Sequence, residues 1–119
     1  MIIAQLTDTH ILSPTLVDSS VAKQRINDLK SCIDSINRLK PRADAVIHTG
    51  DLTQTADLSE YEIALSLLNN LVPPFFVIPG NRDSRKNMRK VFFLQALTKK
   101  MKILQFCIPL MTLMFGLLG

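Results

Sequence analysis

Three short apolar runs, at residues 1–6, 45–47 and 75–78, alternate with two longer stretches in which apolar residues recur every three or four positions. The short runs have the length and composition of buried strands. In the first long stretch Ile26, Leu29, Ile33, Ile36 and Leu39 form one stripe against a polar face. This predicts an amphipathic helix capped by Asp18, Ser19 or Ser20, running to about Lys40 and stopped by Pro41. In the second, Tyr61, Leu65, Leu68 and Leu71 share a face, Asp57 or Ser59 can cap, and Pro73-Pro74 closes the segment. Residues 11–17 carry Ser13 and Pro14 and read as loop. The order is β-α-β-α-β, an α/β arrangement whose parallel strands are joined by right-handed crossovers.

Beyond Asp83 the pattern weakens. A helix over 84–102 is expected, although its apolar positions are badly spaced, and residues 103–119 carry no charge and are interrupted by Pro109 and Gly116. Charge changes at the same place. Residues 1–81 hold 6 basic and 9 acidic side chains, whereas residues 82–102 hold 8 basic and one acidic, so the formal net charge of +4 averages two unlike segments. A basic segment can attract nucleic acid or an anionic surface, but no aromatic interleaving or nucleic-acid module accompanies this one, and specific nucleic-acid binding is not expected. At 119 residues the chain is one domain at most. Cys32 and Cys107 lie far apart and in no CxxC spacing, which fits a reducing, cytoplasmic compartment. The N-terminus lacks a basic region and meets Asp8 at once, so it reads as a strand rather than a signal peptide.

In parallel sheets of this kind ligands bind beyond the carboxyl ends of the strands. The three strand-end loops are Thr7-Asp8-Thr9-His10, Gly50-Asp51 and Pro79-Gly80-Asn81-Arg82-Asp83. Asp8 and His10, two apart on an extended segment, would share one side and hold a divalent transition metal. Asp51 has two oxygens with which to bridge two metals, and the Asn81 carbonyl is a neutral oxygen ligand for the second. Two such ions would grip and polarise a phosphate and supply a hydroxide near neutral pH. His48 lies within the second strand and reads as a structural histidine.

Asp8-Thr9-His10, Gly50-Asp51 and Gly80-Asn81-Arg82-Asp83 resemble the first three signature blocks of the calcineurin-like metallophosphoesterases, most closely the bacterial cyclic-nucleotide phosphodiesterase branch. The resemblance covers about residues 1–90. It implies a two-sheet α/β sandwich flanked by helices, two divalent ions (iron, manganese or zinc), and a phosphodiester or cyclic-nucleotide substrate. In that scheme Asp8, His10 and Asp51 hold the first metal, and Asp51 and Asn81 the second.

Two departures qualify the expectation. Where the family has a histidine that binds phosphate and assists the leaving oxygen, this chain has Arg82. A guanidinium can grip a phosphate oxygen but is a poor proton donor. The family also completes its site with a further histidine and a Gly-His-x-His block, and no histidine follows Asp83 here. The sequence therefore reads as a truncated N-terminal half: a partial metallophosphoesterase domain over residues 1–90, then an atypical basic and apolar tail over 91–119. The alternatives are a non-catalytic remnant with weak or no metal binding, or a small tail-anchored membrane protein using 103–119.

Overall fold

A computed structural model describes residues 1–15 and 19–98. Its elements follow the expected order: β1 (Ile3–Leu6), α1 (Ser19–Asn37), β2 (Ala45–His48), α2 (Leu58–Leu68), β3 (Phe75–Val77) and α3 (Arg85–Thr98). The strands form one parallel sheet in the order β1-β2-β3. Both crossovers carry a helix, as parallel pairing requires.

Register divides the sheet into two unlike faces. Ala4 pairs with Val46 and Val46 with Phe75, while Leu6 pairs with His48 and His48 with Val77. All of these except His48 belong to the hydrophobic core or pack against it, and His48 is itself buried. The alternate row, Gln5-Ile47-Phe76, stays outside that core, and Ile3 at the edge is 58% exposed. The core lies on the first face, where the helices cover the sheet.

Helix α1 buries Ala22, Leu29, Ile33 and Ile36, and Ile26 packs against the same cluster. It ends at Asn37 rather than near Lys40. At its end the Asn37 side chain ties α1 to the α2–β3 connection: its Nδ2 donates to the Asn70 carbonyl at 2.9 Å and its Oδ1 accepts the Val72 N–H at 2.9 Å. The side chain is thus committed to the α2–β3 connection, and Leu39, expected on the stripe, is 42% exposed beyond the helix. Asp57, not Ser59, caps α2. Its carboxylate accepts the Ser59 N–H and hydroxyl, which together hold its pKa below the usual range. Three positions on, the fully buried Glu60 turns back to accept the Thr55 N–H and hydroxyl at 2.9 and 2.8 Å, a variant of the capping box.

Helix α3 begins where Ser84 Oγ accepts the Asn87 N–H at 3.2 Å, and it buries Met88, Val91 and Phe92. Asn87 also donates to the Ala56 carbonyl, fixing α3 to the loop before α2. No described helix is long and apolar enough to cross a membrane. The apolar stretch 103–119 and Cys107 lie outside the described residues.

Candidate metal centre

The β1 and β2 chains continue side by side past the ends of their strands. Asp8 N–H donates to the Gly50 carbonyl (3.0 Å), His10 N–H to Asp51 (3.1 Å), Ile11 N–H to Leu52 (2.9 Å), and Gln54 N–H back to Ile11 (3.1 Å). A parallel bridge joins Ile11 to Thr53. Each backbone polar group so paired is spared the cost of burial without a partner. The two loops therefore form one rigid corner.

Within that corner Asp8, His10 and Asp51 adopt φ of 55°, 45° and 53°. Left-handed backbone costs a non-glycine residue about 1–2 kcal/mol, somewhat less for Asp. Ala56 is the remaining non-glycine residue with positive φ among those described. The strain therefore concentrates on three of the four residues expected from the sequence as ligands, Asn81 being the exception, and such strain is a known mark of functional sites. It also corrects one expectation: Asp8 and His10 converge through left-handed turns, not through the alternation of an extended strand.

Side-chain atoms of Asp8, His10 and Asp51 that can bind a metal lie within 4.8 Å of one another. His10 Nε2 stands 3.5 Å from Asp8 Oδ1. The other ring nitrogen, Nδ1, is buried with no hydrogen-bond partner among the described residues. Such an orphan costs roughly 1–3 kcal/mol. The Thr7 hydroxyl donates to Asp8 Oδ2 at 2.6 Å and holds its carboxyl below the usual range, outweighing slight desolvation, with Asp51 and His10 adding to the effect. Two carboxylates and an imidazole so close together match the donor set of a divalent transition metal, and an ion there would relieve the repulsion between the acids.

The third loop approaches from β3. Asp51 Oδ1 accepts the Arg82 N–H at 2.9 Å. Gly80 lies so close that a Cβ there would stand 2.4 Å from Asp51 N and 2.5 Å from its Oδ1. Gly50, at φ 127°, faces Gly80, and a Cβ on it would meet Gly80 Cα at 2.8 Å. Only glycine permits this approach of two loops. Asn81 sits exposed between the two residues that touch Asp51, and Arg82 is exposed beside it.

His48 behaves as the sequence reading expects. It is 1% exposed, Nδ1 accepts the Gly50 N–H at 3.2 Å, and Nε2 lies 3.0 Å from Thr9 Oγ1, which donates to the Leu52 carbonyl at 3.0 Å. An accepting Nδ1 places the proton on Nε2, which then donates to Thr9. Burial lowers the His48 pKa from 6.5 to about 4, against the opposing pull of Asp83 and the other nearby carboxylates.

The sequence profile of calcineurin-like phosphoesterases matches residues 1–116. The chain belongs to that family. It is 39% identical over 95 residues to a probable glycerophosphodiester phosphodiesterase GpdQ of Arcobacter nitrofigilis, covering 77% of this chain and 33% of that protein. A 3′,5′-cyclic-nucleotide phosphodiesterase of Nostoc is 31% identical over 101 residues, 82% of this chain and 36% of the relative. The cyclic AMP phosphodiesterase CpdA of Pseudomonas aeruginosa is 26% identical over 92 residues, 76% and 33%. The chain thus spans about a third of the length of these relatives. Family membership accords with divalent-metal chemistry at the Asp-His-Asp corner.

Asp83 stands in the third loop and its signature block without an assigned role, and Tyr61 reads from the sequence only as part of an apolar stripe. A tyrosine on a buried stripe needs a partner for its hydroxyl, and that was the available signal.

Proposed function

We propose that this edge is the metal- and phosphate-holding part of a metal-dependent phosphodiesterase. Asp8, His10 and Asp51 would hold one divalent ion, iron, manganese or zinc. Asp51 and Asn81 would hold a second. Such ions supply Lewis-acid charge to a phosphoryl oxygen. Arg82 offers its forked donors to the phosphate and, being permanently charged, orients it without giving up a proton. The substrate class is a phosphodiester, in keeping with the names of the relatives, and cyclic nucleotides are included. A reducing, cytoplasmic setting suits the two widely separated cysteines.

The observation that carries this reading is the convergence of three metal-capable side chains within 4.8 Å on strained backbone. One observation favours a second reading, a metal-binding edge that does not turn over substrate by itself. His48 already has both ring nitrogens engaged, so among the described residues His10 is the imidazole open to a metal.

Purified chain dialysed against manganese and offered bis(p-nitrophenyl) phosphate and cyclic AMP separates the two. Stoichiometric manganese with turnover abolished in Asp51→Asn supports the enzyme. Stoichiometric manganese without turnover supports the second reading. No manganese retained overturns both.

A further inference from the structure

Five donors converge on the carboxylate of Asp83. Its Oδ1 accepts the Thr53 N–H and the Thr53 hydroxyl, both at 3.1 Å, and the Tyr61 hydroxyl at 3.0 Å. Its Oδ2 accepts the Leu52 N–H at 3.0 Å and the Gly80 N–H at 2.9 Å. A carboxylate has about four lone-pair sites. Asp83 is therefore saturated, and although it stands in an acidic corner it has no capacity left for a metal ion. The Tyr61 hydroxyl, which donates to Asp83, also accepts the Ser84 N–H at 2.7 Å. Tyr61 is fully buried, and burial is the main cause that raises its pKa, so the hydroxyl keeps its proton.

The residues bound by Asp83 are the immediate neighbours of the centre. Leu52 follows Asp51. Gly80 packs against Asp51 and precedes Asn81, while Arg82, whose N–H bonds Asp51, precedes Asp83. We propose that Asp83 and Tyr61 form a positioning clasp that fixes the second loop against the third and so sets where Asp51 and the Asn81-Arg82 pair stand at the metal centre. The clasp acts through Asp51 and touches neither metal nor substrate. This inference rests on the metal reading above.

The clasp is absent from simple motif reading because its parts are unlike and distant. Tyr61 comes from α2, Thr53 from the loop before it, and Gly80 and Ser84 from either side of Asp83. Together they connect the second strand end, the third strand end and the start of α3. A hydrogen-bonded partner behind a metal ligand commonly changes metal affinity by about 10–100-fold when removed.

Cobalt(II) titration followed by visible absorption, with amide hydrogen exchange on the same samples, tests it. Asp83→Asn leaves one acceptor oxygen for five donors. Tyr61→Phe is the milder variant, removing one hydroxyl from a buried ring. The clasp predicts that Tyr61→Phe keeps wild-type far-ultraviolet circular dichroism, loses about tenfold in cobalt affinity and shifts the cobalt band. Exchange at the Gly80 and Arg82 amides should quicken more than at Val46 in the sheet. A Tyr61→Phe protein with wild-type cobalt affinity and band, and uniformly altered exchange, would reduce the pair to ordinary core packing and overturn the proposal. If the wild-type chain takes up no cobalt, the metal reading fails. The clasp then stands or falls on exchange: selective quickening at Gly80 and Arg82 upholds it, and its absence removes it.

Discussion

The surroundings of His48 and His10 lie on neighbouring strand ends and are joined by one side chain, Thr9, yet they treat an imidazole in opposite ways. His48 sits in regular strand, fully buried, with both nitrogens engaged and its pKa pushed down by burial. His10 sits on left-handed backbone, half-buried, with one nitrogen beside a carboxylate and the other unpartnered among the described residues. Every feature of the first environment adds stability. Nearly every feature of the second subtracts from it. A fold that satisfies one histidine completely and leaves its neighbour strained is what the proposed metal-ligand role of His10 would require.

The largest expected effect comes from removing the satisfied histidine. His48→Ala empties a buried site and orphans the Gly50 N–H, and it should lower unfolding free energy by about 3 kcal/mol or more in urea titrations. If it costs less than His10→Ala, the contrast fails.

Acid should act through the same group. The folded pKa of His48, about 4, lies below its ordinary 6.5. The unfolded chain then binds the extra proton between these values. The stabilisation is complete above about pH 6.5 and is lost as pH falls toward 4, amounting to roughly 3 kcal/mol in all. Comparing urea midpoints of wild type and His48→Gln across that window isolates this part, because the carboxylates titrate in both proteins. Parallel curves would show that His48 is not the buried neutral group described.

His10→Gly should cost less than about 1 kcal/mol of stability. Relief of left-handed strain, about 1–2 kcal/mol, offsets the entropy of a glycine, about 0.5–1 kcal/mol. The same variant should lose divalent-metal binding. A cost near that of His48→Ala would mean that the strain reading is mistaken. Smallest of all, Arg82→Ala should leave thermal stability within about 0.5 kcal/mol, because the side chain is exposed. It should still weaken competition by inorganic phosphate for the metal-loaded protein.

Much of this was legible in the residues. The stripe from Ile26 to Ile36 and the apolar runs at the three strands carried element order and parallel pairing, because burial imposes periods of 3.6 and 2 directly. The convergence of Asp8, His10 and Asp51 was legible because strand ends of a parallel sheet share an edge. The left-handed turns that bring them together were not, since local φ is imposed by the paired loops. The tie at the end of α1 is hidden for a similar reason: the Asn37 side chain bonds partners 33 and 35 residues away. Asp83 and Tyr61 were hidden by the distance between a side chain and the five donors it gathers.

Zinc titration of the uniformly 15N-labelled chain, followed at the imidazole nitrogens, tests the central claim most directly. The account predicts that saturating zinc moves a His10 ring nitrogen to the chemical shift of a metal ligand, while His48 keeps its proton on Nε2 throughout, and that Asp51→Asn abolishes the His10 response. Zinc that leaves His10 unmoved, or that displaces the His48 proton instead, would contradict it.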